Sequence, residues 1–171
     1  MRSRVSLLSH TTMTARRILA TIAILTGLTS VASAQSATQT VTFQIDAINQ
    51  VSLSGSPSLV VNTATAGSNP TSATAAVTWA VTTNQTGAKI TASIGSNMPA
   101  GLTLSVNLAA PAGATSAGSQ ALSTTAVDLV TSITKLAQSA LSVTYALSAT
   151  AAAGVVSSTT RTVTYTITGG T

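Results

Sequence analysis

The chain has no cysteine and no glutamate, and its one histidine, His10, lies near its start. Without cysteine there is neither a disulfide nor a thiol nucleophile, and stability must come from packing alone. Beyond residue 17 there is no imidazole, so a Ser-His-Asp relay has no base and zinc lacks its nitrogen and sulfur ligands. Only Asp46 and Asp128 are acidic. A calcium loop needs clustered carboxylates, and these two stand alone. A two-carboxylate glycosidase would have to use this one pair, and nothing in Ile45-Asp46-Ala47 or Val127-Asp128-Leu129 indicates that they converge. A Ser–Lys dyad through Lys89 or Lys135 is the one nucleophilic arrangement that composition allows. No enzyme activity, cofactor or metal is expected.

Charge is equally scarce, at 5% of 171 residues, yet the formal net charge is +5. A basic excess normally points to nucleic acid or an anionic membrane. Its distribution removes that implication here, because Arg2, Arg4, Arg16 and Arg17 all lie in the first seventeen residues. Past residue 34 only Lys89, Lys135 and Arg161 face the two aspartates, scattered and without aromatic neighbours. Nucleic acid is not expected as a partner. Residues 1–34 have the parts of a secretory signal: a basic region ending at Arg16-Arg17, an apolar stretch from Ile18 to Leu28, and Ala32-Ser33-Ala34 as a small-x-small site. Cleavage is expected between Ala34 and Gln35. The apolar stretch, roughly a dozen residues, falls short of the ~20 that span a bilayer, so no membrane span is expected in the mature chain. Met1 and Met13 are both candidate starts, the second giving a shorter basic region. The expected product is exported to the periplasm, the cell surface or the medium.

Residues 35–171 would form a single domain. About a third of them are serine or threonine, a composition shared with disordered stalks. Thirty-four large apolar residues stand against that reading. They recur with period two, the signature of strands with one buried face. Val77, Trp79 and Val81 form one set; Ile90, Ala92 and Ile94 another; then Leu102, Leu104, Val106 and Leu108; Leu141, Val143, Tyr145 and Leu147; and Val163, Tyr165 and Ile167. Trp79 is expected in the core. At the start, Val41, Phe43 and Ile45 are in phase, the phase breaks at Ala47–Asn49, and it resumes at Val51 and Leu53, which implies a bulge or a change of sheet. Leu59-Val60-Val61 reads as a short extra strand.

Turn residues separate these runs. Asn84-Gln85-Thr86-Gly87 is expected to join the Trp79 and Ile90 strands as a hairpin. Asn97-Met98-Pro99-Ala100-Gly101 leads into the Leu102 strand, and Pro111 to Gly118 forms a longer loop. Residues 125–137 fit two periods: Val127, Val130 and Ile133 at helical spacing, Val127, Leu129 and Ile133 in alternation, with strand favoured. The pattern predicts an all-β fold, an immunoglobulin-like antiparallel β-sandwich of about eight strands.

Three stretches together carry a resemblance: Val41 to Ile45, Asn84 through Leu104 with its Met98-Pro99-Ala100-Gly101-Leu102 turn, and Arg161 to Ile167. In these the chain resembles bacterial secreted proteins with one immunoglobulin-like sandwich behind a signal peptide and, more distantly, pilin-type and WxL-type surface domains. It departs from many pilins in lacking a cysteine pair, and Tyr165 is not penultimate. Trp79-Ala80-Val81 has no second Trp-x-Leu copy, so cell-wall binding is not implied. The resemblance implies a structural role at the surface or in the periplasm.

Two features bear on such a role. Thr160, Thr162, Thr164, Thr166 and Thr168 form an unbroken row on the expected last strand, and Thr38, Thr40 and Thr42 do the same on the expected first. Threonine favours strands, so an exposed sheet face accounts for the rows; they would also serve as a regular surface for contact. Both expected terminal strands are nearly free of charge, whereas natural edges carry lysine, proline or bulges to block pairing with another chain. The expectation is an exported, non-enzymatic structural or adhesive protein that associates with itself or other surface proteins through strand edges. The alternative is a binding module for a neutral polymer or surface through the threonine faces.

Overall fold

In a computed structural model the described residues are 33–171. Ala32 and the basic and apolar parts of the expected signal lie outside them; Ala34 and Gln35 are exposed and outside any strand. Residues 43–171 form one compact unit. It is a β-sandwich of two antiparallel sheets. One sheet has the order β1 (Asn49–Leu53), β2 (Ala73–Thr83), β8 (Leu136–Ala149), β4 (Leu102–Leu108), β6 (Gln120–Ala121). The other has the order β5 (Thr115–Ser116), β7 (Val127–Ile133), β3 (Ala88–Ile94), β9 (Val163–Thr168). There is no α-helix among the described residues, only a 3-10 turn at Ala151–Ala153, and no helix long and apolar enough to cross a membrane.

The core is built from the alternating sets. Trp79 and Val81 of β2, Val106 and Leu108 of β4, and Val143 of β8 meet Ile90 of β3 and Leu129, Val130 and Ile133 of β7. Full burial of each such side chain contributes about 1.5–3 kcal/mol. The Trp79 indole is 1% exposed, and its Nε1–H donates to the Ala109 carbonyl at 3.2 Å, so its one polar atom is satisfied. No buried side-chain nitrogen or oxygen among the described residues lacks a partner.

Residues 127–133 are strand, and the structure explains the mixed periodicity. Pairing with β3 shifts register between Ala88 and Ile90 and again between Ile90 and Thr91. Each shift rotates the following side chains relative to a regular ladder, so Leu129 and the adjacent Val130 are both buried. A second irregularity separates Trp79 and Val81 where β2 meets β8. There Ala140 holds a left-handed φ of 57° without being glycine.

Four expectations are corrected. First, Val41, Phe43 and Ile45 form no strand; residues 33–48 carry no secondary structure, and the first strand begins at Asn49. Period two identifies a sequence fit for a strand, but a strand also needs a partner ladder, which this segment lacks. Second, Leu59-Val60-Val61 is not a strand; Leu59 packs against the core as an isolated anchor while Val60 is exposed. Third, residues 84–87 do not close a hairpin, because β2 and β3 lie in different sheets. Fourth, the Pro111–Gly118 loop contains the short strand β5.

Candidate functional site

The threonine rows lead to the open edge of the second sheet. Thr164, Thr166 and Thr168 lie on β9 and are exposed, alternating with half-buried Val163, Tyr165 and Ile167. Thr160 and Thr162 continue the exposed alternation but precede the strand. Thr38, Thr40 and Thr42 are exposed and belong to no strand. The two rows are therefore not the faces of two terminal strands: three of eight threonines sit on sheet.

β9 is hydrogen-bonded to β3 alone, from Lys89↔Thr168 to Ile94↔Val163. In the same register, Gly95 N–H donates to the Thr162 carbonyl at 3.2 Å, while Ile94 N–H turns the other way, to the Ser123 carbonyl at 2.9 Å. Beyond Thr168 the phase changes, and Thr86 and Thr171 exchange both backbone bonds at 3.0 and 3.2 Å. In an antiparallel ladder the groups of successive residues point alternately to either side. Thr162, Thr164, Thr166 and Thr168 thus turn their N–H and C=O groups toward β3. Val163, Tyr165 and Ile167 turn theirs outward, to an edge with no strand partner among the described residues. That edge has neither proline nor bulge, and its six residues are uncharged, so none of the usual blocks to strand addition is present.

Tyr165 ties this edge to the opposite sheet. Its hydroxyl and that of Tyr145 on β8 are 2.6 Å apart and share one hydrogen bond. Burial raises both pKa values above the usual phenol value; for Tyr165 the hydrogen bond and the charge of Tyr145 add to the rise, while for Tyr145 the bond partly offsets it. The unfolded chain, with ordinary phenols, therefore loses protons first as pH passes about 10. Stability contributed by the protonated pair is complete below that pH and is lost above it, at up to ~1.4 kcal/mol per pH unit for each tyrosine still protonated in the fold. Urea unfolding at pH 8 to 11 will show a falling free energy above pH 10, and the double change Tyr145→Phe with Tyr165→Phe will remove the tyrosine share of that slope. An unchanged slope in the double variant would show that the pair carries no such linkage.

A second constellation surrounds the entry to β1. Asn84 Nδ2–H donates to the Asp46 carbonyl at 2.7 Å, and Asn84 Oδ1 accepts from the Ile48 N–H at 2.8 Å. The Asn84 N–H also donates to the Ile48 carbonyl at 3.2 Å, and Asn49 Nδ2–H donates to Gln85 Oε1 at 2.9 Å. Residues 46–48 are thereby held in line with β1 along the end of β2 rather than turning back beside it. In the sequence Asn84 reads as part of a turn, and no periodicity signals a side chain that clips a segment thirty-six positions away. Upstream of this clip Phe43 and Ile45 are 87% and 78% exposed, and Val41 is 72% exposed.

The few charges form no reactive group. Lys89 Nζ pairs with Asp128 at 3.0 Å on the surface, and Asp46 accepts from Gln44. Arg161 donates to the carbonyls of Asn97 and Thr160. Among the described residues no three of His, Cys, Asp and Glu come together. A shallow depression of about 350 Å³ by Ile48, Asn84, Lys135 and Leu136 is mainly apolar. The class defined by fold and surface is thus a β-sandwich with an open, uncharged sheet edge. No protein-family model matches the chain, and no curated protein is similar to it.

Proposed function

We propose that this protein is an exported, non-enzymatic structural or adhesive component of a bacterial surface that associates with itself through strand edges. The observation that carries the reading is the outer edge of β9: three alternate residues, Val163, Tyr165 and Ile167, whose backbone groups face away from β3 with no strand partner among the described residues, on a strand without charge, proline or bulge. A strand edge without a partner can accept a further strand through main-chain hydrogen bonds. The basic region, apolar stretch and Ala32-Ser33-Ala34 site support export. The scarcity of tunable acid–base groups supports a role without catalysis.

Sedimentation of the purified protein over a range of concentrations, with electron microscopy of the large species, tests the reading. The expected result is ordered fibres or sheets whose formation depends little on salt, because so few charges would take part. A monomer at every concentration would overturn self-association.

A further inference from the structure

The exposed segment before β1 and the open edge of β9 are complementary. Val41, Phe43 and Ile45 are the longest alternating series of exposed large apolar side chains among the described residues. Thr40, Thr42 and Gln44 alternate with them. β9 shows the same arrangement, with Val163, Tyr165 and Ile167 turned inward at i, i+2 and i+4 and threonines turned outward. The three inward residues of β9 are also the ones whose backbone groups face the open edge. A strand laid there with its apolar residues inward would extend both rows by one position, apolar beside apolar and threonine beside threonine. β9 carries no charge, and the segment's single charge, Asp46, lies at its root beyond the alternating series.

We infer that residues 40–46 of one copy add as a strand to the outer edge of β9 in a second copy. The inference rests on the self-association proposed above and names its two surfaces. The occupant is a second copy rather than the same chain because the Asn84 clip holds Asp46 and Ile48 in line with β1, leaving no reverse turn at that point. β9 is favoured over the other long open edge, β1, because the inward row of β1 begins with Asn49, whose amide is already bonded to Thr83 and Gln85. The clip gives the donor segment a fixed root, which lowers the ordering cost of binding. Each copy carries one donor and one acceptor, so the contact is head-to-tail and propagates as a filament unless a ring closes.

The absence of cysteine makes the contact directly testable. Thr42→Cys and Thr166→Cys are made in separate full chains, both at exposed outward positions, with Ser52→Cys on β1 as the competing edge. Oxidation of mixed single variants is expected to give the 42–166 heterodimer at least tenfold more than 42–52. Phe43→Asp, at a side chain exposed to solvent, is expected to leave the melting temperature unchanged and raise the concentration needed for assembly at least tenfold. Assembly that persists undiminished in Phe43→Asp would overturn strand donation while leaving self-association standing. A wild-type monomer at all concentrations would overturn both. A preferred 42–52 product, or a monomeric disulfide in the chain carrying both Thr42→Cys and Thr166→Cys, would likewise overturn the assignment.

Discussion

Replacing Trp79 by alanine is expected to cost about 3–5 kcal/mol, the usual range for losing a large aromatic from a packed interior. The indole is 1% exposed and sits on β2, between β1 and β8 in the first sheet. Its loss opens a cavity beside the register shift between β2 and β8. It also leaves the Ala109 carbonyl without the indole donor that reaches it at 3.2 Å. Ala109 N–H still bonds the Ser142 carbonyl of β8 and Ala112 N–H the Gln138 side chain, so the loop after β4 loses one of its hydrogen bonds to the sandwich. Domains of this size are stable by about 5–15 kcal/mol in all; the variant is expected to melt at least 10 °C lower. Trp79→Phe keeps much of the volume and should lose only the hydrogen bond and part of the packing, about 1–2 kcal/mol. Since Trp79 is the single tryptophan, unfolding of the variants must be followed by circular dichroism. Equal, small losses in both variants would show that the indole is not the core anchor argued here.

The second large effect concerns Gly101, at the end of the turn between β3 and β4. Its φ is 78°, a left-handed conformation that costs an L-residue about 1–2 kcal/mol. A methyl group there would lie 2.8 Å from Thr150 Oγ and 2.9 Å from Ala153 Cβ, with the Ala153 backbone at 3.0 Å. The Gly101 carbonyl accepts the Thr150 N–H at 2.8 Å, which fixes the two segments together and prevents either from moving aside. Strain and overpacking together give an expected loss of about 2–4 kcal/mol for Gly101→Ala. Gly113 supplies the comparison: its φ is 77°, but nothing lies within 4 Å of an added methyl. Gly113→Ala should therefore cost only the conformational part. Urea titrations of the two variants side by side will separate the terms, and equal losses would remove the crowding argument.

How far the fold was legible depended on whether an element's partner was encoded near it. The sets around Trp79, Ile90, Leu104, Val143 and Tyr165 each became strands, because a buried face in a sheet requires period two and little else. Residues 125–137 were harder, since the register shifts beside Ile90 place Val130 inside as well as Leu129 and so imitate helical spacing. The turn at 84–87 was recognisable as a turn. Which strands it joined across was not, because turn chemistry specifies a reversal and not the sheet to which the next strand belongs. The threonine rows were likewise visible as alternation, while their division into three residues on β9 and the rest outside any strand was not.

By itself the sequence determined the all-β character and the core, and it carries a pattern fit for export with little chemistry for catalysis. These are properties of residue type and short-range period, set by hydrophobicity and by the two-residue repeat of an extended chain. Only the tertiary structure decided that Val41, Phe43 and Ile45 stand exposed and that β9 ends its sheet with a free edge. It also decided that Asn84 holds the chain in line at residues 46–48. The physical reason is that a strand is completed by hydrogen bonds to a neighbour, and no local pattern says whether that neighbour is present. The segment from 40 to 46 has a strand's alternation, and in the single chain the ladder it would join is missing.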